Sequence, residues 1–178
     1  RCLPASGRLI VNGGEASLAR VLARGCWSEV EHFDVAAGWH AVDVSEGVAH
    51  AFDVVFGDTH YGRLTLPMAG SHNRRNVLAA IAAARHAGVP PALAIEALTS
   101  FEGVKRRLEV RGTQGGVTVY DDFAHHPTAI ELTVGGLRRR VGNARILAVL
   151  EPRSNTMKLG TMKAALPGAL READLVFC

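Results

Sequence analysis

Cysteine is scarce in this sequence: of 178 residues only Cys2, Cys26 and Cys178 carry thiols. Their odd number and the lack of any CxxC spacing exclude a disulfide framework and a zinc site built on cysteine, and point to a reducing cytoplasm. No run of 18 apolar residues occurs. The Ala-rich stretch "NVLAAIAAARHAG" is broken by Arg85 and His86, so it reads as a buried helix and not as a membrane span. Aromatic residues make up 6% of the chain and are not interleaved with Lys and Arg, and no nucleic-acid motif accompanies them. Nucleic acid is therefore not an expected partner. The one dense basic run, "LRRRVG", is read as a solvated helix end, with Arg138, Arg139 and Arg140 near the negative pole of the helix dipole. There is no GxxxxGK[ST] sequence, hence no P-loop between Arg1 and Cys178. The chain opens "RCLPASGRLIVNGGE", without an initiator Met or a leader pattern, and closes on "EADLVFC", a strand just begun. A piece of a longer polypeptide is expected.

What is present is a soluble, globular composition, 48% hydrophobic and 21% charged, enough for one domain or two small pieces with a sizeable core. Charge is unevenly placed. Residues 1–103 carry 8 Lys and Arg against 10 Asp and Glu, a net of −2, while residues 104–178 carry 12 against 7, a net of +5. The second half should favour anionic ligands.

Periodicity divides the chain further. "RLIVN" (8–12) reads as a buried strand and "GEASLARVLARG" as a helix with Leu18, Val21 and Leu22 on one face. From 29 to 68, "EVEHF", "WHAVDVS", "AFDVVF" and "YGRLTLPM" are separated by Gly or Asp and predict an antiparallel meander. A helix from Ser71 to about Ala87, capped by "GS", is followed by a second, "ALAIEALTSF". "EGVKRR" is the connector, giving expected domains 1–104 and 105–178. Beyond it come two strands joined at Gly115-Gly116, a helix from Thr128 to Val141, a strand "ARILAVL", a loop "EPRSNTMKLG", a helix across 162–173 and a strand "LVF". Strand–helix–strand–helix–strand predicts a parallel, Rossmann-like half. "YDDFAHHP" and "EPRSNTMKLG" would then share the carboxyl edge of one sheet, where α/β folds bind ligands.

Three clusters could carry chemistry. In "TVYDDFAHHPTAI", Asp121, Asp122, His125 and His126 have metal-binding donor atoms, but adjacent carboxylates at a strand end point to opposite faces, which disfavours one shared ion. A structural alternative has Asp122 capping the turn and the two histidines standing at the helix start. In "GSHNRRN", His72, Asn73 and Asn76 open an apolar helix, where amide groups can read the donor–acceptor edge of a base; N-capping accounts for Ser71 or Asn73 but leaves Asn76 without a reason. "KRRLE" adds guanidinium groups suited to a base or a phosphate, or else is a solvated linker.

Taken in order, "GSHNRRN…VKRRLE…VYDDFAHHPTAI" resembles the ATP-dependent Mur ligases of bacterial cell-wall synthesis, with their GxHNxxN helix, RxE junction and DDYAHxP-type turn. The resemblance implies an α/β chain: the C-terminal part of a central ATP-binding domain, then the first half of a Rossmann-like C-terminal domain. It implies Asp122 on the ribose hydroxyls of ATP, Asn73 and Asn76 on the adenine with His72 beside them, and Arg107 against the nucleotide. Asp121, His125 and His126 would line the site. "LEPRSNTMKLG" resembles the loop of the member acting on a murein tripeptide, placing Arg153, Ser154 and Asn155 on the peptide. The implied reaction joins UDP-N-acetylmuramate to L-alanyl-γ-D-glutamyl-meso-diaminopimelate through an acyl phosphate, with ATP and Mg²⁺. The P-loop and Mg²⁺ ligands would lie upstream of Arg1, so no catalytic residue or metal ligand is expected within the chain. An alanine-adding ligase, a non-catalytic nucleotide-binding module and a metal-dependent hydrolase are the other readings.

Overall fold

The computed structural model of the chain describes residues 4, 6–45, 50–66, 70–151, 159–160 and 162–178. It divides into two compact units, Arg1–Glu102 and Gly103–Cys178.

In the first unit, five strands form one sheet in sequence order: β1 (Arg8–Asn12), β2 (Glu29–Phe33), β3 (Trp39–Ser45), β4 (His50–Phe56) and β5 (Thr59–Leu66). The expected meander is correct only for β3, β4 and β5, which pair antiparallel; β2 pairs parallel with β1 along its whole length and meets β3 parallel at the single pair Phe33–Trp39. A tight loop makes this possible. Asp34 sits at φ 63 and donates its N–H to Trp39 O at 2.7 Å, and a Cβ on Gly38 would stand 2.2 Å from His32 O, so only glycine fits.

Helix α1 (Ala16–Leu22) follows β1, α2 (Ser71–His86) packs on β1, β2 and β3, and α3 (Pro91–Thr99) packs on β5. The core joins the two kinds of periodicity: Trp39, Phe52, Val54, Leu64 and Leu66 from the sheet meet Val77, Leu78, Ile81 and Ala82 from α2 and Ala94 and Ile95 from α3. Glu31 is buried among them and is not alone: Trp39 Nε1 and Arg8 Nη1 (2.7 Å) donate to it and Arg85 stands 3.8 Å away, its guanidinium 4.6 Å from the Phe56 ring centroid. A buried carboxylate persists because it is paired and hydrogen-bonded in this way.

The second unit starts with a hairpin, β6 (Glu109–Gln114) and β7 (Val117–Asp121), turned at Gly115 (φ 58) and Gly116 (φ 78). Two consecutive positive φ angles define the turn type that matches strand twist, which is why the Gly-Gly pair stands there. Helix α4 (Pro127–Val141) follows, then β8 (Leu147–Val149), a 3-10 turn (Lys163–Ala165), helix α5 (Leu166–Ala169) and β9 (Leu175–Phe177). β8 and β9 pair parallel, as the alternation predicts, but among the described residues β7 pairs only with β6. The continuous helix expected across 162–173 is instead the 3-10 turn and a four-residue helix, because Pro167 has no N–H to continue the first and can only open the second. Ile130 and Val134 of α4 pack with Ala169 and Leu170 to form the small core.

Candidate functional site

The predicted residues fall into both units. In the first, α2 starts after Gly70, which has φ 102, and no side chain caps it, so the expected serine cap is absent. The His72 ring folds back over Gly70, where a Cβ would be 2.8 Å from its Cε1. Asn73 is half-buried and Asn76, three residues on and hence on the same side of the helix, is exposed. Arg75 is tied to Asp34 at 2.9 Å.

In the second unit the turn between β7 and α4 collects Asp121, Asp122, His125 and His126. The two carboxylates do face different partners. Asp121 pairs with Arg106 Nε at 3.2 Å. Asp122 is half-buried and accepts three hydrogen bonds from three segments: Leu108 N–H at 2.9 Å on Oδ2, and Ala124 N–H at 2.7 Å and the Thr133 hydroxyl at 3.3 Å on Oδ1. A carboxylate offers about four lone-pair positions. Three are taken, and the one left, on Oδ2, suits a single hydroxyl donor. His126 is the N-cap of α4, its Nδ1 accepting the Thr128 N–H at 3.3 Å, with Pro127 at the first helical position. His125 is exposed, its Nδ1 2.9 Å from Phe123 O and its ring centroid 5.0 Å from that of Phe123, while Arg106 lies 4.9 Å from the same ring.

The junction before β6 holds the two non-glycine residues of positive φ found among the described residues of this unit. Arg106 (φ 59) and Leu108 (φ 48) both adopt the left-handed conformation, which costs a residue with a Cβ roughly 1–3 kcal/mol. Hydrogen bonds hold it: Arg106 N–H to Glu109 Oε2 at 2.8 Å, Leu108 N–H to Asp122 Oδ2, and Phe123 N–H to Arg106 O at 2.9 Å. The first of these, followed by the Arg111 guanidinium, keeps the Glu109 carboxyl below its ordinary value. Arg107, between the two, is exposed and has no hydrogen bond, ion pair or ring contact among the described residues. Sequence reasoning chose Arg107 and passed over Arg106, Glu109, Phe123 and Thr133. Glu109 was visible in the RxE pattern, but nothing in the sequence pairs Thr133 with a carboxylate eleven positions earlier.

Arg153, Ser154 and Asn155 lie outside the described residues. Among the described residues no three His, Cys, Asp or Glu side chains are placed to hold a metal ion, and no helix is long and apolar enough to cross a membrane. A cleft of about 210 Å³ beside Arg8, Glu31 and Arg85 contains none of the predicted site residues.

Residues 106–178 match the family described as Mur ligase, glutamate ligase domain. That segment belongs to the Mur ligase family. Over 178 residues it is 49% identical to UDP-N-acetylmuramate--L-alanyl-gamma-D-glutamyl-meso-2,6-diaminoheptandioate ligase of Escherichia coli (strain K12), covering 99% of this chain and 39% of that protein. The protein of the same name from Haemophilus influenzae (strain ATCC 51907 / DSM 11121 / KW20 / Rd) is 46% identical with the same coverage. Among solved structures, a murein peptide ligase from Psychrobacter arcticus 273-4 superposes with a TM-score of 0.76 at 37% identity, covering 99% of this chain and 38% of that one. The chain thus spans about two fifths of the length of these Mur ligases. The matched segment begins at Arg106, the first of the two left-handed residues.

Proposed function

We propose that this chain is part of an ATP-dependent amide ligase that joins UDP-N-acetylmuramate to L-alanyl-γ-D-glutamyl-meso-diaminopimelate in cytoplasmic peptidoglycan recycling. The observation that carries the reading is the 49% identity over the whole chain to a ligase named for those substrates. Residues 1–104 are read as the C-terminal part of the central ATP-binding domain and 105–178 as the N-terminal part of the Rossmann-like ligase domain.

ATP would transfer its γ-phosphoryl group to the sugar's carboxylate, giving an acyl phosphate and ADP; the tripeptide amine would then attack the acyl carbon, forming the amide bond and releasing phosphate. The chain's own residues bind and orient. Asn73 and Asn76, with His72, take the adenine through amide donors and acceptors. Asp122 takes one ribose hydroxyl, in keeping with its single open acceptor position. Arg107 offers an uncommitted guanidinium to the nucleotide. Asp121, His125 and His126 shape the wall, and Arg153, Ser154 and Asn155 take the peptide, a carboxylate suiting the arginine fork. The Mg²⁺ of this reading is assigned no ligand here.

The test is phosphate release by the full-length protein with ATP, Mg²⁺, UDP-N-acetylmuramate and either the tripeptide or L-alanine. Turnover with the tripeptide and little with L-alanine is expected. Equal or better turnover with L-alanine would assign the chain to an alanine-adding ligase, and none with either would leave a nucleotide-binding module.

A further inference from the structure

Two adjacent arginines at the junction have opposite fates. Arg106 is committed, its guanidinium stacked on Phe123 and paired with Asp121. Arg107 is exposed and, among the described residues, uncommitted. Its direction is decided by its neighbours, because both Arg106 and Leu108 are left-handed and each gives its N–H to a carboxylate, Glu109 and Asp122 respectively.

We infer that Glu109 is a positioning residue, whose carboxylate holds the Arg106 backbone in the turn that presents the Arg107 guanidinium to a phosphate of the nucleotide. The inference rests on the reading of this unit as nucleotide-binding and extends it to a residue that reading leaves without a role. Asp122 is already accounted for by the ribose. Glu109 stands at the start of β6, half-buried, with Oε2 on the Arg106 N–H at 2.8 Å and Oε1 on Arg111 Nη1 at 3.0 Å. Without that carboxylate the Arg106 N–H loses its acceptor, and one of the hydrogen bonds that offset the cost of a left-handed residue with a Cβ is gone. Relaxation of φ at Arg106 rotates everything attached to residue 107. A free guanidinium presented by a braced backbone is suited to phosphate, which it grips through parallel hydrogen bonds with little ordering cost.

Calorimetric titration of the full-length protein with a non-hydrolysable ATP analogue, and separately with adenosine, tests this. Glu109→Ala is expected to weaken the analogue about tenfold, the size of one charge-assisted contact, and to leave adenosine within about twofold. Arg107→Ala should do the same, and the double variant should bind no more weakly than Arg107→Ala alone, since the first acts through the second. Glu109→Gln keeps an oxygen for the Arg106 N–H and should bind like the unsubstituted protein; it also decides the matter if Glu109→Ala does not fold. Additive losses in the double variant, an equal loss toward adenosine, or Glu109→Gln as weak as Glu109→Ala would overturn the positioning role. Unchanged analogue affinity in Arg107→Ala would remove the phosphate contact itself, and with it the inference.

Discussion

Asp122 combines two demands in one carboxylate. Three donors from the junction, the turn and α4 converge on it, so truncation strands two backbone N–H groups whether or not a nucleotide is present. Leaving a buried donor without its partner costs about 1–3 kcal/mol. Asp122→Ala is therefore expected to lower the stability of its unit by about 2 kcal/mol, read by urea unfolding, and, on the proposed ribose role, to raise KM for ATP in the full-length protein. A raised KM with an unchanged unfolding midpoint would show that the three bonds contribute nothing to the fold. Asn76 is the opposite case, exposed on α2. Asn76→Leu should leave stability within about 0.5 kcal/mol yet, on the proposed adenine role, weaken discrimination between ATP and GTP; unaltered selectivity would refute that role for Asn76.

At the scale of elements, α4 is fastened at both ends by side chains of different kinds. Its start uses His126 and Pro127. Its end does not carry three solvated arginines as the basic run leads one to expect. Arg138 turns back to donate to Gly142 O at 2.8 Å, Ala144 O at 2.7 Å, Glu172 O at 2.9 Å and Asp174 Oδ2 at 2.6 Å, joining the helix end to the segments before β8 and β9. Arg138→Ala should cost about 2–4 kcal/mol in urea unfolding, against less than about 0.5 kcal/mol for Arg139→Ala, since severe losses come from breaking such networks. Equal effects would return Arg138 to the solvated face. Asp174 also accepts the Ile146 N–H at 2.7 Å; that bond first, and Arg138 second, hold its carboxyl below the ordinary value of 3.8. A carboxyl that titrates lower when folded adds stability above its unfolded value and loses it as pH falls through the folded one. The stability difference between the unsubstituted chain and Asp174→Asn should accordingly be constant above about pH 5 and shrink below about pH 4. A difference that does not change across this range would show that the ionised form is not what Ile146 and Arg138 hold.

For the whole chain, the two units are built on unequal cores: among the described residues eleven buried ones gather in the first and four in the second, where Val149 of β8 is 83% exposed. Nowhere in its 178 residues is there a GxxxxGK[ST] loop to cradle the β- and γ-phosphates. The isolated chain is therefore expected to release no phosphate from ATP, with or without UDP-N-acetylmuramate and tripeptide. Substrate-dependent release from the pure 178-residue chain in a phosphate assay would show that the catalytic groups are within it.

Local order was legible because it depends on neighbours in sequence. Strand positions followed from alternation, α2 and α4 from 3.6-residue periodicity and their stops, the hairpin turn from Gly115-Gly116, and the clusters around Asn73 and Asp122 from motif spacing. Tertiary structure decided whatever depends on partners brought from elsewhere. β2 joined β1 in parallel because its hydrogen bonds reach back 21 residues, a choice that alternation does not encode. Arg138 left solvent because five acceptor contacts come to it from residues 142–174. Glu109 and Asp122 became anchors because two backbone N–H groups, at Arg106 and Leu108, are turned toward them by left-handed φ angles. Sequence names the donors and acceptors, but which of them meet is set by the closure of the chain, since a hydrogen bond depends on distance and direction and not on separation along the polymer.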